Sequence, residues 1–218
     1  MNEEHNCDIS IAVTGSGGAG SITAGELLLS LAGKNGCFGI MRRSFGPQIR
    51  GGEAAALVRL GPRPIECMND HFDLWLALDW QNADRFADEI PLHPGSLIIA
   101  DPAAGDTPEV VRHLGLEVIE VPMKALAKDV PMARPNMIAL GLLAHWLDFC
   151  ADEAGKLIDH TFHAKGEGIV EGSRLAFMVG FTEPGIVEAR SRRKVPTRCD
   201  RGSVGEQWDL SGNEGCGL

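Results

Sequence analysis

The stretch "VTGSGGAGSITAGELLLSLAGKNG", residues 13–36, has four glycines within six positions and then an apolar pattern typical of a helix. The residues that lead into it, "DISIAVTG" (8–15), alternate, are rich in β-branched side chains and end at a glycine, which predicts a first strand. Behind the glycines, apolar residues recur at near-helical spacing and predict a helix over 19–34. A strand, a glycine-rich turn and a helix therefore open the chain.

The turn itself is a candidate binding loop, since Gly15, Gly17 and Gly20 have the spacing G-x-G-x-x-G. Glycines permit positive φ and close approach to the backbone, and the N-terminus of the following helix favours a phosphate or a carboxylate. The hydroxyl of Ser21 is a further candidate donor. The candidate binding residues are Gly15, Ser16, Gly17, Gly18 and Gly20. In a second interpretation, the glycines only allow tight packing of strand on helix.

Strands and helices continue to alternate along the chain. Further strands are predicted at 37–43, 54–60, 72–79, 96–101 and 117–122, and helices at 82–90, 136–151, 153–162 and 167–181. Residues 9–43 read as one βαβ unit, and 72–79 is nearly all apolar, as a buried parallel strand requires. We expect an α/β fold with a doubly wound, mainly parallel sheet and helices on both faces, followed by an extended C-terminal tail.

Composition excludes several classes of protein. A formal net charge of −10 leaves no basic excess for binding nucleic acid. The opening "MNEEHNCD" is not a signal peptide, and the longest apolar run, 137–149, is too short to span a bilayer. The chain is expected to be cytoplasmic, without a membrane or nucleic-acid partner.

No metal site is predicted. The six cysteines are scattered without a C-x-x-C pair, and Cys37, Cys67 and Cys150 are expected to be reduced and buried. His160 and His163, three residues apart, are interpreted as a structural or solvated pair. Three aspartates follow predicted strands, where they either cap turns or face a ligand; they are Asp79, Asp101 and Asp106. No catalytic residue can be named.

One half of the dinucleotide-binding pattern is missing. Binding of NAD calls for an acidic residue about 20 positions after the glycine loop, and Arg42, Arg43 and Ser44 occupy that place. Arginines accept a 2′-phosphate instead, so an NADP-dependent reductase that uses Arg42 or Arg43 remains an alternative.

A second loop follows the second predicted strand, in "RRSFGPQIRGGEAAALVRL" (42–60). Glycines and a proline fix its turns, and the guanidinium of Arg50 suits a phosphate or a carboxylate of a partner. We interpret this loop as an interface or a coenzyme A region; its residues are Gly46, Pro47, Arg50, Gly51 and Gly52.

The two loops in combination resemble the gamma subunit, or gamma-type domain, of 2-oxoacid:ferredoxin oxidoreductases of the pyruvate and 2-oxoglutarate synthase type. The resemblance covers roughly 8–183 and includes "NMIALGLLAHWL" (136–147). The chain departs from it at Ala19, where members often have a glutamine. The tail "LSGNEGCGL" (210–218) resembles the opening of a fused alpha subunit.

The resemblance implies an enzyme that oxidatively decarboxylates a 2-oxoacid of the 2-oxoglutarate or pyruvate class. Thiamine diphosphate, magnesium and iron–sulfur clusters of the complete enzyme lie mostly in alpha-type and beta-type parts, coenzyme A receives the acyl group, and ferredoxin accepts the electrons. The isolated chain is expected to be inactive. A non-catalytic assembly scaffold is the third interpretation.

Three regions are predicted. A gamma-type domain covers 1–185, a linker with clustered arginines covers 186–206, and the truncated start of an alpha-type domain covers 207–218.

Overall fold

A six-stranded sheet organises residues 8–46, 52–80 and 83–192, which the computed structural model describes. The strands are β1 (Ile9–Ser16), β2 (Phe38–Phe45), β3 (Glu53–Gly61), β4 (Phe72–Ala77), β5 (Leu92–Ala100) and β6 (Val118–Glu120). The helices are α1 (Ser21–Lys34), α2 (Glu109–Leu114), α3 (Met123–Lys128), α4 (Pro135–Trp146), α5 (Ala151–Phe162), α6 (Glu167–Phe181) and α7 (Pro184–Arg192). The strand order is β2-β3-β1-β4-β5-β6.

The sheet is mainly parallel, as predicted. Strands β4, β5 and β6 follow β1 on one side with parallel pairing. On the other side β3 pairs antiparallel with β1, and β2 pairs antiparallel with β3. Three of the five strand pairs are therefore parallel, and β3 alone runs against the rest.

The prediction of a simple βαβ unit over 9–43 is wrong in its pairing. β1 and β2 run in the same direction, but β3 lies between them. Burial explains this order, because β3 is buried at nearly every position whereas Arg42 and Arg43 of β2 are exposed. A strand with two arginines suits the edge of a sheet, where charges also discourage unwanted pairing.

The two faces of the sheet are covered unequally. On one face, Val13 and Leu76 belong to an apolar cluster with Leu28 of α1 and Leu142 of α4, and Phe177 of α6 extends this cluster beyond α4. The opposite face carries α2, short turns and a second apolar cluster, with Trp75, Trp80 and Phe86. The helix predicted over 82–90 belongs to this cover and is only a 3₁₀ turn, Ala83–Phe86.

Helix α4 is buried along almost its whole length, between the sheet and α6. The helix predicted over 136–151 is too long, because α4 ends at Trp146 and α5 begins at Ala151. Asp148 interrupts the helix because its φ is 60°, in the left-handed region, where a right-handed helix cannot continue. No helix among the described residues is long and apolar enough to cross a membrane.

The predicted linker begins with ordered structure. Helix α7 extends to Arg192, and its Ile186 and Ala189 are buried against the helical layer. The clustered charged residues of this segment concealed its short apolar face in the sequence. The rest of the linker and the alpha-like tail, 193–218, lie outside the described residues and stay predictions.

The cysteines do not behave as small core residues. Cys67 and Cys150 are free, as expected, but both are exposed. Cys37 is half-buried and disulfide-bonded. The prediction that all three are reduced and buried is therefore wrong, because each lies in or beside a turn at the surface rather than inside an apolar element.

Candidate functional site

The glycine loop has left-handed backbone at two of its four glycines. Gly18 and Gly20 adopt φ of 93° and 87°, conformations that L side chains rarely take. Gly20 also leaves no room for a Cβ, which would collide with the side chain of Asn136. The loop joins the carboxyl end of β1 to the first turn of α1, where free backbone N–H groups favour an anion.

Neighbouring polar groups hold the loop in place. The Asp79 carboxylate accepts hydrogen bonds from Ser16 N at 2.9 Å and from Ser16 Oγ at 2.7 Å. Ser21 Oγ donates to the carbonyl of Ala54 at 3.1 Å. The two hydroxyl protons proposed for a ligand are thus engaged within the protein, so the loop would offer a ligand its N–H groups instead.

Asn136 is a site residue that sequence reasoning missed. It is 95% buried in the first turn of α4, and its Nδ2 donates to the carbonyl of Gly20 at 3.3 Å. Its Oδ1 is buried without a hydrogen-bond partner among the described residues. The only local signal was a helix start, with Pro135 in the first position.

A cavity of about 490 Å³ opens beside the glycine loop. Its walls combine the loop with the start of β3 and with α4, α5 and α6. Two exposed cations line it, Arg134 and Lys165, and neither makes an ion pair with a described residue. Lys165 Nζ lies 5.1 Å from the centroid of the Phe162 ring. The cavity therefore offers backbone donors and two cationic side chains to an anionic ligand.

The remaining lining is mixed in character. Glu53 is buried, and its Oε1 accepts a hydrogen bond from Arg85 Nη1 at 2.8 Å, which balances its charge. Phe45 and Met132 are large apolar side chains, each 62% exposed at the cavity. Met132 has a φ of 60°, a strained conformation for a residue with a side chain. Exposed apolar groups beside cations suit a ligand with both charged and apolar parts.

The predicted second loop is described only at its two ends. Gly46 N donates to the carbonyl of Glu53 at 2.8 Å and closes the β2–β3 hairpin, and a Cβ at Gly46 would collide with the Glu53 carboxylate. Gly52 lines the cavity. Pro47, Arg50 and Gly51 lie outside the described residues. The two loops thus meet at one cavity, while the role of Arg50 stays a prediction.

The arginines of the reductase alternative lie elsewhere. Arg43 Nη2 lies 2.6 Å from Glu26 Oε1, and Arg42 Nη2 lies 3.8 Å from Glu89 Oε2. Both side chains extend from the edge strand β2, which β3 separates from β1, and neither lines the cavity. A bound 2′-phosphate would have to reach across an intervening strand.

The other aspartates that follow strands do not face the cavity. Asp101 caps two backbone segments, since its carboxylate accepts from Ala103 N at 2.7 Å and from Lys124 N at 2.6 Å. Asp106 is exposed. Neither lines the cavity, and for Asp101 capping is the observed role.

Sequence and structure comparisons agree on the family. The model for pyruvate ferredoxin/flavodoxin oxidoreductase matches residues 10–183. No curated protein shows significant sequence similarity to the chain. Among solved structures, the 2-oxoglutarate:ferredoxin oxidoreductase of Magnetococcus marinus, with 2-oxoglutarate, coenzyme A and succinyl-CoA bound, is 27% identical with a TM-score of 0.70. The match covers 85% of this chain and 32% of that protein, so the chain spans about a third of its length.

Two single subunits share the fold over nearly their whole length. The pyruvate oxidoreductase subunit of Thermotoga maritima is 18% identical with a TM-score of 0.63, over 80% of this chain and 95% of that subunit. The gamma subunit of a keto/oxoacid ferredoxin oxidoreductase from Geobacter sulfurreducens is 23% identical with a TM-score of 0.63. The match covers 83% of this chain and 97% of that subunit. The chain belongs to the pyruvate ferredoxin/flavodoxin oxidoreductase family.

Proposed function

We propose that the chain is the gamma-type part of an enzyme that oxidises a 2-oxoacid to an acyl-CoA, and that its cavity contributes to the coenzyme A region. The observation that carries this proposal is the cavity itself, in which the glycine loop faces Arg134 and Lys165. The substrate is a 2-oxoacid of the 2-oxoglutarate or pyruvate class, and ferredoxin accepts the electrons.

The chemistry of coenzyme A suits this lining. Its phosphates are anions, which the N-terminus of α1 and the two cations would attract. Its adenine and pantetheine parts need apolar contacts, which Phe45 and Met132 offer at the same cavity. A cavity of about 490 Å³ takes up one end of such a ligand rather than all of it. The coenzyme A and succinyl-CoA in the Magnetococcus marinus structure support the choice of ligand.

The remaining chemistry is assigned to partner subunits of alpha and beta type. Iron–sulfur clusters take four thiolates, and the described residues include three cysteines, of which Cys37 is disulfide-bonded. Clusters and thiamine diphosphate with its magnesium ion would then lie in those partners. On this proposal the isolated chain binds coenzyme A without turning over substrate.

Calorimetric titration of the purified chain with coenzyme A tests the proposal. We expect saturable binding that Arg134→Ala and Lys165→Ala each weaken by about threefold to tenfold, because each removes one exposed cation from an anion site. Arg112→Ala, an exposed arginine on α2 away from the cavity, is the matched control and should leave the affinity unchanged.

A parallel titration with NADPH separates the alternatives. Saturable NADPH binding that depends on Arg42 or Arg43, without any effect of coenzyme A, would replace the proposal with the reductase. If neither coenzyme A nor NADPH binds, the non-catalytic scaffold is favoured. Binding of coenzyme A that survives both cavity substitutions would overturn the assignment of the cavity.

A further inference from the structure

A cluster of side chains that can bind a metal lies at the end of the sheet opposite the glycine loop. His71 and Asp73 come from the amino end of β4, and His93 comes from the amino end of the neighbouring strand β5. We propose that these three residues bind a divalent transition-metal ion of the Zn²⁺ type. The glycine loop follows the carboxyl end of β1, which is parallel to β4, so this site is separate from the proposed coenzyme A region.

The three ligand atoms are already close together. Asp73 Oδ1 lies 3.3 Å from His93 Nε2 and 3.8 Å from His71 Nε2, and all three atoms lie within 4.8 Å of one another. Zinc bound tetrahedrally at about 2.0–2.1 Å separates its ligand atoms by roughly 3.3 Å. The cluster therefore needs only a contraction around the ion, which side-chain rotations supply at a partly exposed site.

The carboxylate is oriented for this role. Ser10 N donates to Asp73 Oδ2 at 2.7 Å, which ties that oxygen to β1 and leaves Oδ1 facing the two imidazoles. A hydrogen bond to the outer oxygen of a ligating carboxylate is the usual way in which a metal site orients such a ligand. Asp73 is therefore positioned by the sheet itself.

The backbone of His93 is also fixed by hydrogen bonds. Its backbone N donates to Ser96 Oγ at 2.9 Å, and that hydroxyl donates to the carbonyl of Phe72 at 2.7 Å, which links β5 to β4. The ring of His71 lies edge-on to that of His93, with centroids 4.7 Å apart and an interplanar angle of 78°. Two nearly perpendicular rings thus direct Nε2 atoms towards one carboxylate oxygen, as two ligands of one ion require.

Binding the ion changes one hydrogen bond. Gly95 N donates to His93 Nδ1 at 3.1 Å, so the neutral ring carries its proton on Nε2. A neutral imidazole has one N–H proton, so an ion can bind at Nε2 only when that proton has moved, through solvent, to Nδ1, where it displaces the Gly95 N–H. The Gly95 amide is therefore a local reporter of metal binding.

Two imidazoles and one carboxylate select the ion and leave room around it. Imidazole favours zinc, copper, iron and nickel over magnesium and calcium, which prefer an all-oxygen site. His71 and His93 are partly exposed, so water completes the coordination. An ion bound there would link the amino ends of β4 and β5 and stabilise the folded state.

Titration with Zn²⁺ alone tests the proposal. The 218-residue chain is used without an affinity tag, after treatment with a chelator, and with Cys67→Ser and Cys150→Ser to remove exposed thiols that also bind zinc. We expect one saturable site, a higher melting temperature with Zn²⁺ but not with Mg²⁺, and an NMR shift of the Gly95 amide on the same titration curve.

Substitutions assign the ligands. His71→Gln, His93→Gln and Asp73→Asn should each weaken Zn²⁺ binding at least about tenfold, while His160→Gln and His163→Gln, an exposed pair elsewhere, should not. Binding that all three ligand substitutions leave intact would overturn the proposal. So would the absence of saturable Zn²⁺ binding by the unsubstituted ligand set in this titration.

Discussion

Asp79 and Ser16 are joined by two hydrogen bonds, from the backbone N and from the Oγ of Ser16 to one carboxylate oxygen, at 2.9 and 2.7 Å. Asp79 follows β4 and Ser16 ends β1, so the contact links the carboxyl ends of two parallel strands. It also fixes the point at which the chain enters the glycine loop. The direction of that loop, and with it the position of its N–H groups at the cavity, depends on this aspartate.

Asp79→Ala should therefore destabilise the protein by about 2–4 kcal/mol, since hydrogen bonds to a charged group contribute about 1.5–3 kcal/mol each and part is recovered by water. Ser16→Ala removes only the hydroxyl bond and should cost about 1 kcal/mol. Urea unfolding of the two variants measures both free energies. If the two variants lost the same unfolding free energy, the hydrogen bond from the Ser16 backbone N to Asp79 would contribute nothing to stability, which would contradict this prediction.

The crossing of α4 and α6 depends on glycine. A Cβ at Gly141 would collide with the carbonyl of Phe177, and one at Gly180 would collide with the carbonyl of Ile138. Gly141→Ala should push the helices apart and cost about 1–3 kcal/mol, despite the better helix propensity of alanine.

Gly33→Ala is the matched control for this effect. Gly33 lies within α1 with open space around its missing Cβ, so alanine should stabilise the chain by about 0.5–1 kcal/mol. Thermal and urea unfolding of both variants should give effects of opposite sign. A loss of stability in both would show that the crossing is not the cause.

His145 makes the stability of the fold depend on pH. Burial, and then the charge of Arg190, lower the pKa of His145 below its ordinary value of 6.5, against a smaller opposing effect of Asp148. The ring packs edge-on against Phe181, with centroids 5.3 Å apart. Because the folded state favours the neutral ring, its contribution to stability is fully present above pH 6.5.

That contribution is lost as the pH falls from 6.5 towards the lower pKa of the folded state, where the unfolded chain binds the proton first. His145→Gln should flatten the decline of unfolding free energy over this window. Urea unfolding from pH 5 to 7.5 measures the slope, with His113→Gln as a control for losing one exposed imidazole. An unchanged slope in His145→Gln would refute the linkage.

Arg50 is predicted to act on a partner rather than on the fold. If Arg50 acts on a partner, Arg50→Ala should change the stability of this chain by only about half a kcal/mol, the usual size for a substitution outside the core. In the complete assembly it should cost about 2–5 kcal/mol of subunit association, or raise the KM for coenzyme A, because a desolvated contact is lost. A variant that unfolds readily, with normal assembly and kinetics, would make Arg50 a structural residue.

Local sequence pattern was sufficient to predict much of the fold and the glycine loop of the candidate site. The bounds of β1, β3 and α6 lie within two residues of the predicted ones, because each has a clear period and ends at glycine or at a turn. Of the three glycines in the G-x-G-x-x-G spacing, Gly20 has positive φ, as does the neighbouring Gly18, whereas Gly15 and Gly17 do not. The rest of the site could not be predicted, since Asn136, Arg134 and Lys165 lie more than 110 residues from the loop they face.

Local sequence pattern thus predicted the six strands, the longer helices α1, α4, α5 and α6, and the resemblance to a gamma-type oxidoreductase subunit, but it missed the short helices α2, α3 and α7. Three features depend on long-range contacts: β3 lies between β1 and β2, α7 packs onto the domain, and His71 and Asp73 lie beside His93. The physical reason is that periodicity records which face of an element is buried. It does not record which element covers that face, because burial against any apolar partner satisfies the same pattern.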